Sequence, residues 1–176
     1  DQINPHFMMN ALNSAQWQAT MADKPELASY LYHLNYLLGY TLGKINQNTT
    51  LGSEIQVLTS YLKLQQSRQD FHFTVDVEDG FYLEKECARL ILQPIAENAI
   101  CHSIDDFGNL DIKVRQMENR EVEITIKDDG PGFDVSILNF KEPPEKGTER
   151  QAKSGIGLRY VLLTLDTFYE GKAKMD

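Results

Sequence analysis

The spacing of the hydrophobic residues changes near residue 70, and this change constrains the fold more than any other feature of the sequence. Before it, apolar residues recur every three or four positions, as in Leu31, Leu34 and Leu38, which is the spacing of an amphipathic helix. After it, they alternate with polar residues, as in Phe73 and Val75, which is typical of a half-buried strand. The sequence therefore predicts a helical segment followed by a domain of mixed helices and strands.

Three helices are predicted in the first segment. One covers about residues 5–21, and a second begins at Pro25, which suits a first helical turn, and ends near Gly43. A third begins at Leu51, with Ser53 as its expected N-cap. No strand pattern interrupts these helices, so we expect the whole first segment to be helical.

The second segment mixes the two patterns. Helices are predicted at about residues 84–102 and from near Gly155, and a final short strand from Lys172. Alternating apolar residues predict strands at residues 73–77, 110–114 and 122–126. This order favours an α+β arrangement in which helices pack on one face of a mostly antiparallel sheet.

Composition excludes several classes of protein. The chain has 17 basic and 26 acidic residues and a formal net charge of -9, which argues against binding to nucleic acid or to anionic lipid. Cys87 and Cys101 have neither zinc-site spacing nor the number needed for a disulfide scaffold. No apolar stretch reaches the roughly 20 residues that span a bilayer. Because it begins at Asp1 without an initiator Met, we expect the chain to be a piece of a longer protein.

Two glycine-containing turns flank a long polar stretch. Asp128, Gly130 and Gly132 follow a predicted strand, and Gly155 and Gly157 open the last predicted helix. Glycine lets a ligand approach the backbone closely, and a helix N-terminus offers unpaired N–H groups to phosphate. Neither turn matches a P-loop or a dinucleotide fingerprint, and a purely structural turn is the alternative for each.

Two polar side chains on predicted helices are candidates for chemistry. Asn98 lies at the edge of an apolar helix face, and its amide oxygen suits Mg²⁺ shared with phosphates; capping of a nearby loop is the alternative. His6 lies in the first helical turn, where a neutral imidazole nitrogen can attack phosphorus; a solvated surface histidine is the alternative.

Four motifs, taken in order, resemble those of one family, the LytS-like sensor histidine kinases. Their order and spacing extend over nearly the whole chain, so the sequence is identified as a member of that family. The His box of the family resembles Gln2-Ile3-Asn4-Pro5-His6-Phe7, and its N box resembles the stretch from Leu92 to Ile100. Its first glycine box resembles Asp128-x-Gly130-x-Gly132, and its second resembles Gly155-Ile156-Gly157-Leu158.

The resemblance implies an α+β fold: an N-terminal helical hairpin segment, then an α/β sandwich of the Bergerat or GHKL ATP-binding type, truncated at its C-terminus. Residues 1–70 are expected to form a phosphoacceptor and dimerisation segment, truncated at its N-terminus, and residues 71–176 the catalytic domain. The implied function is the core of a two-component sensor histidine kinase. We expect it to be the cytoplasmic portion of an inner-membrane sensor whose membrane segments lie upstream.

The resemblance also implies residue roles, with ATP and Mg²⁺ as cofactors. His6 would accept the γ-phosphoryl group, Asn98 would ligate Mg²⁺, and Asp128 would accept a hydrogen bond from adenine. Residues 134–153 would form the ATP lid. The phosphoryl group would pass to an aspartate of a response regulator receiver domain, and the full-length kinase would act as a homodimer. The rest of the nucleotide site would be Gly130, Gly132, Gly155, Gly157 and Leu158.

Two departures from the family pattern leave alternatives open. Phe7 stands where many other histidine kinases carry an acid, so Glu97 is the candidate base, although one residue of helix turns it about 100° from Asn98. Cys101 stands where relatives often have Lys, which removes a cation near the phosphates. These departures point to the alternative of a degenerate kinase that serves as an ATP-binding or docking module, whereas intact His6, Asn98, Asp128 and both glycine boxes weigh against it. Another GHKL ATPase, of the chaperone or topoisomerase type, is disfavoured by His6.

Overall fold

A computed structural model describes residues 4–45, 48–102, 108–132 and 149–175. Three helices come first, followed by three strands and two further helices. These elements are α1 (Pro5–Met21), α2 (Pro25–Thr41), α3 (Leu51–Gln66), β1 (Phe71–Val77), α4 (Gln93–His102), β2 (Gly108–Gln116), β3 (Val122–Asp128) and α5 (Glu149–Phe168), with a short 3₁₀ turn at Phe81–Glu84. The predicted order of a helical segment followed by an α+β domain is confirmed. No helix in these ranges is long and apolar enough to cross a membrane.

The helix starts follow from local hydrogen bonds. In α1, the Asn4 side chain accepts a bond of 3.0 Å from the backbone N–H of His6. In α3, Thr50 and Ser53 form a capping box, in which each side chain accepts a bond from the other residue's backbone N–H, at 3.2 and 2.9 Å. The prediction of Ser53 as N-cap is therefore wrong, since the N-cap is Thr50 and Ser53 is the third helical residue.

The sheet is mixed, with strand order β1-β2-β3. β1 pairs with β2 in parallel, whereas β2 and β3 pair antiparallel. A mostly antiparallel sheet was expected. The parallel pair arises because α4 lies between β1 and β2 in the chain, and a helical crossover returns the second strand in the same direction.

One apolar core joins the sheet to α3 and α4. The side chains of Leu110, Ile112 and Val114 on β2 are completely buried. They share a cluster with Leu58 and Leu62 of α3 and with further buried residues, among them Ile91, Ala96, Ala99 and Ile100. α1 packs on α2, and α2 packs on α3. The third helix is thus part of the same core as the sheet, while the domain boundary at residue 70 stays a prediction.

Two predicted helix starts and one predicted strand are wrong. α4 begins at Gln93 rather than near residue 84, because Leu90 has a left-handed φ of 57° that a continuous helix does not allow. α5 begins at Glu149 rather than at Gly155, and the added turns contain good helix formers such as Gln151 and Ala152. The expected strand from Lys172 is not formed.

His33 connects α2 to α3 and makes the stability of this contact depend on pH. Its Nδ1 atom lies 3.1 Å from the Ser60 hydroxyl. Burial, with a smaller contribution from the charge of Lys63, lowers the pKa of His33 from 6.5. The unfolded chain therefore binds a proton before the folded chain does, so this contribution to stability is complete above pH 6.5 and is lost as the pH falls from 6.5 towards the lower folded pKa.

We expect the free energy of unfolding to decrease between pH 7.5 and pH 5.5, and to decrease less in His33→Gln, which cannot be protonated. Urea unfolding at several pH values measures both slopes. His72→Gln, on an exposed position of β1, is the matched control and should keep the wild-type slope. An identical slope in wild type and His33→Gln would contradict the assignment.

Candidate functional site

The candidate site residues of the second segment lie on elements that contact one another. α4 packs against α5 and against β3. Asn98 lies in α4, Asp128 is the last residue of β3, and Gly157 and Leu158 lie in α5. The fold therefore brings together three of the predicted motifs, which are separated by up to about 60 residues in the sequence.

Asn98 has the burial that the sequence pattern predicts. Its side chain is 9% exposed, within a helix whose neighbouring residues Ala99 and Ile100 belong to the core. An amide is costly to withdraw from water unless polar groups surround it. Asn98 thus has a polar side-chain amide at a helix position that the apolar core holds in place. A residue that orients a ligand needs both features.

The turn after β3 is organised by two adjacent carboxylates. One oxygen of Asp128 accepts a bond of 2.9 Å from the backbone N–H of Gly130, which is an Asx-turn. Gly132 has a φ of +74°, a conformation that favours glycine. The half-buried Asp128 carboxylate is therefore held in a fixed direction at the end of the strand.

Asp129 anchors this turn to β2 and was missed by the sequence analysis. Its two oxygens accept bonds from the backbone N–H of Asn109 at 2.9 Å and from the Asn109 side chain at 2.7 Å. These hydrogen bonds lower the pKa of Asp129. The sequence signal was the acidic pair Asp128-Asp129, but nothing in the sequence identifies Asn109 as the partner.

Gly155 and Gly157 lie inside α5 and not at its N-terminus. In the interior of a helix each N–H is directed to the carbonyl four residues earlier, so these amides differ from the phosphate-facing groups that a helix start provides. The prediction that Gly155 opens the helix is wrong. Leu158 is 3% exposed and packs inward, and its place in a nucleotide site stays a prediction.

Glu97 is exposed on α4, and its charge acts on Tyr61 and Cys101. Burial and, next, the negative charge of Glu97 raise the pKa of the Tyr61 hydroxyl, and the same two causes raise the pKa of the Cys101 thiol. Tyr61 belongs to α3, whereas Asn98 is turned by about 100° on the helix. The two neighbours in the sequence therefore point to different surroundings.

His6 lies in a different part of the molecule, in the first turn of α1, where it is exposed. Its Nδ1 atom lies 3.3 Å from the Asn10 side-chain amide. α1 packs on α2, and α2 on α3, which in turn contacts α4. His6 thus stands apart from the residues that α4, α5 and β3 bring together.

The donor set suits a cation shared with phosphate oxygens more than a metal site made by protein alone. Within the described ranges, no group of three His, Cys, Asp or Glu side chains could hold a metal ion. Mg²⁺ commonly takes one or two protein oxygens and completes its shell with phosphates and water. The amide oxygen of Asn98 fits that requirement. Of the predicted ATP lid, residues 134–148 lie outside the described residues, and residues 149–153 belong to the start of α5 rather than to a loop.

Two family models match the chain. The model described as histidine kinase covers residues 1–73. The model described as histidine kinase-, DNA gyrase B- and HSP90-like ATPase covers residues 84–175, which is more than half of the chain.

Curated relatives resemble the chain over most of its length. The sensor histidine kinase YesM of Bacillus subtilis is 32% identical over 143 residues, which are 78% of this chain and 24% of YesM. The sensor histidine kinase YpdA of Escherichia coli is 31% identical over 82% of this chain and 26% of its own length. The sensor protein LytS of Staphylococcus haemolyticus is 29% identical over 145 residues, which are 78% of this chain and 24% of LytS. The chain thus spans about a quarter of these relatives.

A solved structure, the histidine kinase domain of the blue-light activated histidine kinase from Erythrobacter litoralis EL346, is also similar. It aligns with 92% of this chain and 76% of its own, at 14% identity and a TM-score of 0.47.

The position of Gly157 inside α5 predicts an unusual mutational effect. An added Cβ would lie 3.5 Å from the Cβ of Pro94, an ordinary contact, and alanine is the better helix former by about 1 kcal/mol. We expect Gly157→Ala to raise the free energy of unfolding by up to about 1 kcal/mol, as measured by urea denaturation.

Gly52→Ala in α3 is the matched control. There an added Cβ would lie 3.3 Å from the carbonyl oxygen of Leu83, so the backbone of a neighbour must shift and the gain should be smaller or reversed. If Gly157→Ala lowered the stability instead, Gly157 would not lie within a regular helix.

Proposed function

The chain belongs to the LytS-like sensor histidine kinases, and we propose that it transfers the γ-phosphoryl group of ATP to His6 and then to an aspartate of a response regulator receiver domain. Membership of the ATPase family implies ATP binding. The observation that supports the proposal is the burial of Asn98 in α4, a helix that contacts β3, whose last residue Asp128 has a carboxylate held in a fixed direction.

The nucleotide would bind between α4, the end of β3 and α5. Asp128 suits the adenine amino group because its carboxylate is a hydrogen-bond acceptor held in a fixed direction by the Gly130 amide. Gly130 and Gly132 would let the nucleotide lie against the backbone. Asn98 would hold Mg²⁺, which would neutralise charge on the phosphates. For Gly155 and Gly157 to donate their N–H groups to phosphate, the first turns of α5 would have to unwind.

The acceptor is the imidazole of His6. Its Nδ1 lies 3.3 Å from the Asn10 amide nitrogen, which can only donate. Attack by Nε2 therefore requires the tautomer with the proton on Nδ1, and the Asn10 amide must turn so that its oxygen accepts that proton's hydrogen bond. The Nε2–P bond forms as the bond from the γ-phosphorus to the bridging oxygen breaks, ADP leaves, and the ring loses its Nδ1 proton once both nitrogens are substituted. Placement and charge neutralisation supply most of the catalysis in such a transfer.

Association into a homodimer is supported by the surface of the helical pair. Trp17 on α1 is 69% exposed, and Tyr32 on α2 is 45% exposed. These two side chains line one open groove together with Tyr36 and Ile45. Exposed apolar surface of this kind marks an interaction site more often than a solvated face. We also propose that the chain works as the cytoplasmic portion of an inner-membrane sensor.

Glu97 is proposed as the base because no acid follows His6. A single isosteric substitution tests this role. We expect Glu97→Gln to lower the autophosphorylation rate about 100-fold or more, the usual range for loss of a general base, with an unchanged affinity for ATP. Full activity in Glu97→Gln would remove Glu97 from the mechanism.

The phosphoacceptor is tested by incubation with γ-labelled ATP. The wild-type chain should gain an acid-labile label, and His6→Ala should lose it completely while binding ATP as before. His72→Ala, an exposed histidine on β1, is the control and should be labelled normally. Asn98→Ala should weaken ATP binding and labelling together.

Three outcomes would contradict the proposal. Label that persists in His6→Ala would place the acceptor elsewhere. ATP binding without label in the wild type would indicate a docking module, and release of free phosphate alone would indicate an ATPase of another type.

A further inference from the structure

A buried carboxylate that the proposed mechanism does not use lies in α3. The side chain of Glu54 is 2% exposed. Its Oε2 atom accepts bonds from the Tyr40 hydroxyl at 2.5 Å and from the backbone N–H of Leu90 at 2.9 Å, and its Oε1 accepts from the N–H of Ile91 at 2.8 Å. A carboxylate removed from water needs such donors. Here they come from two other parts of the chain.

The first donor holds the end of α2. Tyr40 is the second-last residue of that helix and is completely buried. On its other side, the Arg89 guanidinium donates a bond of 2.6 Å to the Tyr40 carbonyl oxygen and lies 4.3 Å from the centre of its ring. Tyr40 is therefore held between Glu54 and Arg89, and α2 cannot shift along α3 without breaking both contacts.

The other two donors hold the start of α4. Leu90 has a left-handed φ of 57°, which is unfavourable for a leucine, and its N–H bond to Glu54 keeps it there. The preceding amides are also paired: Cys87 N–H donates to the Thr49 carbonyl at 2.9 Å, and Ala88 N–H donates to the Tyr169 hydroxyl at 3.2 Å. The entry to α4 is thus fixed by side chains and backbone from outside it.

We propose that Glu54 is a positioning residue that sets the helical pair carrying His6 in a fixed place relative to the helix carrying Asn98. One carboxylate binds both sides: Tyr40 belongs to α2, which packs on α1 and so fixes His6, while Leu90 and Ile91 lead into α4. This inference rests on the proposed phosphoryl transfer from a nucleotide at Asn98 to His6. An in-line transfer requires placement to within about an ångström.

The contacts of Glu54 with α2 and with the start of α4 can be tested separately by mutation. Tyr40→Phe removes only the bond to α2 and leaves both backbone donors on Glu54. Glu54→Gln disturbs the α4 side, because in either orientation its amide nitrogen faces the backbone N–H of Leu90 or Ile91 and cannot accept a bond from it. Tyr30→Phe is the matched control, since it removes a hydroxyl from an exposed position of the same helix outside the groove proposed for the homodimer.

We expect Tyr40→Phe to bind ATP with an unchanged Kd and to autophosphorylate at saturating ATP about 10- to 100-fold more slowly than the wild type. Tyr30→Phe should match the wild type in both. A general loss of structure would instead change the Kd and the rate together. A Tyr40→Phe rate equal to that of the wild type, or a Kd that rises as much as the rate falls, would overturn the proposal.

A second measurement needs no nucleotide. Spin labels at Ser29→Cys on α2 and Lys113→Cys on β2, both exposed positions, report the distance between the two parts by electron–electron double resonance. Cys101→Ser removes the exposed native thiol, and Cys87 is buried with its pKa raised to about 11, so it will not take the label.

We expect one narrow distance within the chain in the labelled parent and in Tyr30→Phe, and a broadened or shifted distribution in Tyr40→Phe and Glu54→Gln. Urea unfolding checks that each variant is folded, and Tyr40→Phe keeps the test valid if Glu54→Gln does not fold. A Tyr40→Phe distribution identical to that of the parent would overturn the positioning role. If no protein is phosphorylated, the proposed function fails, but this distance measurement still tests whether Glu54 holds the two parts of the chain in place.

Discussion

Burial of one face of β2 is the constraint on which the rest of the fold depends. Leu110, Ile112 and Val114 are fully withdrawn from water, and each such burial contributes roughly 1.5–3 kcal/mol. Because β2 is the central strand, its apolar face can be covered only if α3 and α4 pack over it. α3, which lies within the residues that the histidine kinase model matches, is therefore part of the same core as the sheet.

That packing decides where the candidate site forms. α4 lies over the sheet and contacts both β3 and α5, so the helix that carries Asn98 packs on the strand that ends at Asp128. The turn itself is local, since Asp128 bonds to Gly130 two residues later, but its attachment to β2 depends on Asn109. The site therefore combines a turn encoded by neighbouring residues with supports that only the sheet supplies.

Irregular backbone lies between the two parts of the molecule, and side chains from elsewhere stabilise it. The segment before α4 would be unstable alone, because Leu90 has a left-handed conformation and its amide needs an acceptor. Glu54 supplies the acceptor, and Tyr40 and Arg89 complete a polar cluster inside an otherwise apolar interface. Such a cluster is more specific in geometry than apolar packing, since each bond has a direction.

The sequence by itself determined the number and order of most elements, because helix and strand periodicities, Pro25 and the Asp128 turn are local signals. It also identified the four motifs, and with them the family. Only the tertiary structure decided the parallel pairing of β1 with β2, the start of α4, and the joining of Glu54 to Tyr40 and Leu90. These features depend on contacts between residues up to 37 positions apart, and local spacing carries no information about such partners.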